Sequence, residues 1–379
     1  MPDPNKDKRK PSISSPEEDT GTPQSPRPSI DTEDQEKRPP ASRSPRSIVP
    51  IILCLILVFS ASLVRLEAQL ETSLTLQGTY SDNVFQLSEY DFERFEEDHP
   101  NLEYADTTDD LTLAAKIDLA YSMRYKWYRI TPSLTGTLSQ NVSNTAKQRR
   151  DALLRLKVER HYWNLTALYG FYPYIYVRDY VDTDGTNELE HYSYERNLYR
   201  GDLNIKPFSH SILKLHARYE QYYYNQYWTQ YDGNATTFGL GWRQSFPVFI
   251  VEGMYHFRKF DNVNAGSRDS SYESNLYSGN LRLKSMPLSE SKPQSPTWYP
   301  SLALSYEERF FQSNDDWYGG RTDKIYLTRA ALNFDLDPRW NLKLDYSHTF
   351  RNVDSPVVAV IRLREYGENR ISAAVKYKF

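Results

Sequence analysis

The chain ends on Ile371-Ser372-Ala373-Ala374-Val375-Lys376-Tyr377-Lys378-Phe379. Successive side chains of an extended strand point to opposite faces. Ile371, Ala373, Val375, Tyr377 and Phe379 therefore share one face, and Ser372, Ala374, Lys376 and Lys378 share the other. The same alternation recurs upstream. Leu342, Leu344, Tyr346 and Phe350 oppose Lys343, Asp345, Ser347 and Arg351. Leu111, Leu113, Ala115, Ile117, Leu119 and Tyr121 oppose Thr112, Lys116, Asp118 and Ser122. Runs of roughly nine residues or more are long enough to cross a bilayer as tilted strands.

Working back along the chain, this pattern predicts fourteen strands. They begin near Thr72, Leu111, Tyr128, Ala152, Trp163, Tyr194, Ile212, Thr236, Val248, Glu273, Tyr299, Lys324, Asn341 and Arg370. Tight turns fall at Lys126-Trp127, Tyr162, Phe208-Ser209, Pro247 and Pro338-Arg339. Long polar connections cover 82–108, 141–149, 178–192, 226–234, 261–272, 312–322 and 352–368. The stretch 286–298 is a longer connection on the otherwise tight side. Short turns alternating with long loops predict an all-β, antiparallel, up-and-down transmembrane barrel over 69–379. An even strand count lets the two edges meet. Strand-like echoes fit repeated hairpins: Asn197-Leu198-Tyr199-Arg200-Gly201-Asp202 resembles Asn275-Leu276-Tyr277-Ser278-Gly279-Asn280.

Composition agrees once averages are set aside. Mean hydropathy is -0.72, but only alternate residues of a membrane barrel meet lipid. Thirty-one tyrosines stand out, and tyrosine suits a wall greasy on one side and wet on the other. Tyr125, Trp127, Tyr128, Tyr162, Trp163, Phe246, Phe249, Trp298, Tyr299 and Trp340 cluster near the tight turns and predict one interfacial girdle. Tyr222, Tyr223, Tyr224 and Tyr227 predict a second near the loops. A net charge of -4 gives no general affinity for nucleic acid. The lone cysteine, Cys54, excludes a disulfide scaffold.

Residues 1–47 are rich in Pro, Ser and charge and predict a disordered extension. Arg43 and Arg46, the apolar run Ile48–Phe59 and the small residues Ser60, Ala61, Ser62 and Ala68 predict a secretion signal over 48–68.

The closing segment Ala373-Ala374-Val375-Lys376-Tyr377-Lys378-Phe379 resembles the last strand of Gram-negative outer-membrane barrels of the porin-like class. The resemblance implies a bacterial outer-membrane location, with lipid and lipopolysaccharide around the wall. It also implies that the assembly machinery reads Tyr377 and Phe379. No motif selects one family within that class.

GxSxG, HExxH and P-loop patterns are missing, so no enzyme, catalytic residue, cofactor or metal is expected. His161, His191, His210, His216, His256 and His348 read as polar wall or loop residues. The informative face is the polar one. If the apolar face meets lipid, Arg155, Arg200, Lys214, Arg218, Arg243, Arg258, Arg282 and Arg329 line the lumen, with Arg309 and Arg351 among further basic residues. Acidic residues on those faces, such as Asp118, Asp202, Glu220, Glu252, Glu307 and Asp345, are fewer. Such an excess predicts a channel for small polar or anionic solutes. Strut pairs that cancel the charge are the competing reading. A non-conducting barrel acting as adhesin, scaffold or structural protein through its loops is the alternative function. No apolar inner pocket is expected.

Overall fold

The computed structural model describes residues 68–181, 188–263, 269–289 and 295–379. The extension read over 1–47 and all but the last residue of the signal read over 48–68 lie outside them; Ala68 opens the first strand.

Fourteen long strands follow one another. They are β1 (Ala68–Ser81), β2 (Asp110–Tyr125), β3 (Tyr128–Asn141), β4 (Arg149–Arg160) and β5 (Trp163–Val181). Next come β6 (Leu189–Phe208), β7 (Ser211–Tyr224), β8 (Gly233–Ser245), β9 (Phe249–Asn262) and β10 (Tyr272–Leu283). The last four are β11 (Thr297–Phe311), β12 (Thr322–Asp335), β13 (Trp340–Asp354) and β14 (Tyr366–Lys378). Each pairs antiparallel with its neighbours in the chain. β14 pairs with β1 from Ser73↔Lys378 to Ser81↔Arg370, so the sheet closes. Closure removes the two free edges whose unpaired N–H and C=O groups hydrocarbon could not satisfy. The long connection between β10 and β11 carries a two-residue bridge, Met286–Pro287, against Thr297 and Trp298.

The apolar face points outward. Leu70, Leu138 and Phe238 are at least 60% exposed, and Leu76, Leu113, Ile117, Leu240, Leu304 and Ile371 are more than half exposed. Soluble monomers rarely expose a continuous apolar patch beyond a few hundred Å², whereas here the belt runs round the whole sheet. Hydrocarbon is the solvent that suits it. Trp127 and Tyr162 mark the short-turn rim, where Trp340 packs on Tyr377 and Tyr377 on Phe379. Phe379 N donates to Thr72 O at 3.0 Å, so the last residue is stitched to the first strand.

Three girdle assignments change. Tyr299 faces inward, beneath the Arg282 guanidinium at 5.1 Å. Tyr222 and Tyr224 also face inward, and Tyr223 alone of that trio faces out. Strict alternation puts i and i+2 together, so a Tyr-Tyr-Tyr run cannot all face lipid.

The expected 178–192 loop is shorter, because β5 and β6 reach 19 and 20 residues. They extend beyond the 9–11 residues that crossing requires. Register shifts at Tyr172/Ile175 and Tyr176/Arg178 mark β-bulges in β5. The loop after β1 holds helix α1 (Glu89–Glu96), capped by Ser88, whose side chain accepts from Asp91 N at 3.1 Å. The loop before β14 holds α2 (Val358–Arg364).

Candidate functional site: an arginine row and an arginine–tyrosine chamber

The ladder register fixes which residues share a level. Arg155 is level with Leu168, Leu168 with Arg200, and Arg200 with Arg218. Arg218 is level with Thr237, Thr237 with Arg258, Arg258 with Ser274, and Ser274 with Arg309. Arg155, Arg200, Arg218, Arg258 and Arg309 thus lie along one row, all on the face opposite the lipid-exposed residues. Barrel strands tilt by about 35–45°, so a row at right angles to them climbs the wall. Arg155 lies five residues from the short-turn end of β4, and Arg309 twelve from that end of β11. The row spirals from mid-barrel to the long-loop mouth.

Acidic partners are present and several are shared, although Glu307 holds Arg309 alone among the described residues, at 2.9 Å. Glu220, 2% exposed, lies 3.6 Å from Arg196, 3.3 Å from Arg218 and 3.2 Å from Arg258. Asp345 holds Arg329 at 2.6 Å and Lys343 at 3.5 Å. Asp118 holds Lys116 at 3.4 Å and Lys376 at 3.9 Å. Asp323 lies 2.8 Å from Arg321 and 2.5 Å from Arg351. Asp202 serves Arg200 at 2.8 Å and lies 2.8 Å from His216. Struts are therefore real, yet one carboxylate repeatedly serves two or three basic groups, and the wall keeps a positive surplus. Lys214 has Glu252 to itself at 2.5 Å. Among the described residues, Arg155 and Arg243 have no ion pair, and Arg282 rests on Tyr299.

His216 and His256 meet in the lumen, with ring centroids 5.1 Å apart. They come from β7 and β9, and only Gly239 on β8 lets them touch. A Cβ there would lie 2.4 Å from His256 Cδ2. Sequence spacing gave no sign of this pair, because the closeness is across strands.

The row ends in a cavity of about 750 Å³ at the mouth. Arg94, Arg178, Arg258, Arg309, Arg321, Arg351 and Arg364 line it. So do Tyr104, Tyr180, Tyr192, Tyr194, Tyr222, Tyr224, Tyr231, Tyr272 and Tyr318, with Phe260, Phe311, Trp228 and Trp317. Asp91 and Asp179 are the acidic residues of the lining among the described residues. The rings pack on each other: Tyr192 lies 4.9 Å from Tyr224, 5.5 Å from Trp228 and 5.7 Å from Tyr231. The expectation of no apolar inner pocket is corrected in part, because aromatic faces line this one. Plain alternation places Tyr194, Tyr222, Tyr224 and Tyr272, and the bulges of β5 and the inward turn of the loops place Tyr180, Tyr318 and Trp317, which two-residue alternation does not record.

Three loops converge on the chamber. Arg364, closing α2, donates to Tyr180 Oη at 3.3 Å. The loop of α2 follows β13, and β5 is six strands round the ring, so this contact spans the mouth. Trp317, between β11 and β12, stacks with Arg364 at 5.4 Å. Arg178 on β5 holds the loop of α1 through Asp91 at 3.6 Å and Phe85 O at 2.7 Å. Phe85, Leu87, Leu102 and Ala105 bury themselves against Tyr176. Asp110 accepts from the backbone N–H of Leu111, Val142, Ser143 and Asn144, tying the second loop to the first.

Buried polar atoms in this region lack protein partners among the described residues: Tyr104 Oη, and Nε of Arg178, Arg258, Arg351 and Arg364. Burial pushes the Tyr104 and Tyr318 hydroxyls up to about 12, so both remain neutral donors at ordinary pH.

Lys147, in the second loop, places Nζ 4.4 Å from the Phe85 ring centre. Burial, aided by the nearby Arg178 charge, pulls its pKa down to about 7. With the loop undocked the amine regains its ordinary, higher value. Between that value and 7 the undocked state binds the extra proton, so docking of the first loop strengthens as pH rises through this window. Chymotryptic cleavage at Tyr90 or Phe95 should slow from pH 7 to pH 9 relative to a Lys147→Met variant. A ratio that stays constant across that range removes Lys147 from the account.

A closed sheet with a continuous apolar outer belt and a charged interior has one home. The chain is an outer-membrane β-barrel protein. No family profile and no curated protein matches it in sequence. Among solved structures it is similar to a bacterial polysaccharide outer membrane secretin, with 8% identity and a TM-score of 0.47 over 81% of this chain and 98% of that one. It is similar to the outer membrane channel DcaP of Acinetobacter baumannii, with 8% identity and a TM-score of 0.45 over 83% and 97%. The anion-selective porin of Comamonas acidovorans gives 9% identity and a TM-score of 0.42 over 83% and 100%. Likenesses this distant do not bear on what the lumen of this barrel accepts.

Proposed function

We propose that this barrel is a passive outer-membrane channel for small anionic solutes, captured in the chamber and handed along the arginine row. The row itself supports this most strongly. Fixed positive charges in a narrow low-dielectric passage raise the local concentration of anions. Shared carboxylates keep the row ordered without cancelling it. Transport by this route calls for no covalent chemistry, and none is assigned to the lumen. The wall would face lipid and lipopolysaccharide, and Tyr377 with Phe379 would present the last strand to the assembly machinery of a Gram-negative cell.

The purified protein in a planar bilayer is expected to give steady conductance, with a reversal potential in a potassium chloride gradient that favours chloride. The Arg364–Tyr180 bridge across the mouth favours one rival, a closed barrel that displays its loops. A silent bilayer would hand the function to that rival.

A further inference from the structure

We infer that the chamber and row accept a short linear acidic oligosaccharide. The route rests on the channel reading above; the ligand class rests on the chamber's own chemistry.

The aromatic lining has nine tyrosines, two tryptophans and only two phenylalanines. A flat hydrophobic acid would be served by phenylalanine. Tyrosine adds a hydroxyl at the rim of each ring, so one wall offers flat apolar faces and hydrogen-bonding tips together. A pyranose has that same division, with C–H faces and an equatorial fringe of hydroxyls. The Tyr104 hydroxyl is buried, neutral and without a partner among the described residues, so it has a hydrogen bond to give.

The ligand must also be anionic. Buried guanidinium Nε atoms of Arg178, Arg258, Arg351 and Arg364 have no hydrogen-bond partner among the described residues. Arginine's planar fork matches a carboxylate in shape and charge. Arg364 has a phenol and an indole beside it and no carboxylate within ion-pair distance among the described residues.

Spacing argues for a chain of such units. Neighbouring strands lie about 4.8 Å apart, so cations on alternate strands recur at about 10 Å. Arg155, Arg200, Arg218, Arg258 and Arg309 fall on β4, β6, β7, β9 and β11, so every step but the one from β6 to β7 skips a strand. Charges at intervals on a spiral that runs halfway round the barrel suit a molecule that carries several charges along its length and follows the wall. The cavity volume, about 750 Å³, lies in the range of pockets that enclose a multi-ring ligand.

Calorimetry on the whole protein in detergent tests this with four probes. They are trigalacturonate, galacturonate, uncharged maltotriose, and benzoate, an anionic ring without sugar hydroxyls. Trigalacturonate is expected to bind at least about tenfold more tightly than each of the others, the worth of one or two further charge-assisted hydrogen bonds. Tyr104→Phe should weaken it by about fivefold, one hydrogen bond, and leave benzoate unchanged. Arg155→Gln strands no carboxylate, and should weaken the trimer by about tenfold while sparing the monomer. Benzoate or maltotriose binding as tightly as trigalacturonate overturns the inference, as does a trimer no tighter than its monomer. Tight trigalacturonate binding by a protein silent in bilayers upholds the ligand class and overturns the channel. Conductance without saccharide preference upholds the channel and overturns the ligand class.

Discussion

Arg155→Glu combined with Arg364→Glu is expected to turn an anion-preferring passage into a cation-preferring one. The pair was chosen on physical grounds. Neither guanidinium holds a carboxylate among the described residues, so neither reversal leaves a buried acid stranded. Arg155 stands in the middle of β4, and Arg364 at the mouth. Two reversals change the fixed charge along the path by four units. Fields from charges in a narrow cleft change local ion concentration by about tenfold or more. The chloride-to-potassium permeability ratio should therefore fall by about tenfold, with the two Gln substitutions lying between. Reversal potentials in a salt gradient measure it, and raising the salt should shrink the difference through screening. An unchanged ratio would show that ions do not pass these residues.

Glu220→Ala should give a large loss of stability. The carboxylate is 2% exposed and stands among Arg196, Arg218 and Arg258 at 3.6, 3.3 and 3.2 Å. Deleting one member of a buried ion cluster leaves its partners uncompensated, at a cost of about 3–5 kcal/mol. Three like charges then crowd one stretch of wall, where two of them belong to the arginine row. The urea midpoint in detergent should drop clearly, and Glu220→Gln should drop less, since the amide keeps the side-chain volume and a polar oxygen facing Arg218 and Arg258. Where the variant folds, anion preference should rise, because the row has lost its shared acid. A midpoint that stays at the wild-type value would mean that Glu220 is not the anchor of the row.

These two experiments probe different levels of the molecule. Selectivity reads the net field along the path, to which unpaired residues contribute most cleanly. Stability reads how the row is held in place, and there the shared acids decide. A change in one readout without the other is the expected pattern for Arg155, and a change in both is expected for Glu220.

The barrel was legible in the sequence because its driving pattern is local. A strand of period two, wet on one face and greasy on the other, needs no distant partner to be recognised. Runs such as Leu111–Ser122 and Ile371–Phe379 determined which residues face lipid and which face the lumen, and inward Arg155, Arg200, Arg218 and Arg258 followed from that alone. Turn and loop alternation then determined the strand order. What the alternation could not carry is registration between strands. That five arginines make one row, that Glu220 serves three of them, and that His216 meets His256 over Gly239 are all cross-strand facts. The chamber lay further from view. Part of it sits where bulges in β5 reset the alternation and where loops fold inward, while aromatic clustering groups Tyr222 and Tyr224 with the girdle although plain alternation on β7 turns them into the cavity. Local chemistry set the wall, and the tertiary structure decided which charges and rings stand together, because closing the sheet brings distant strands level.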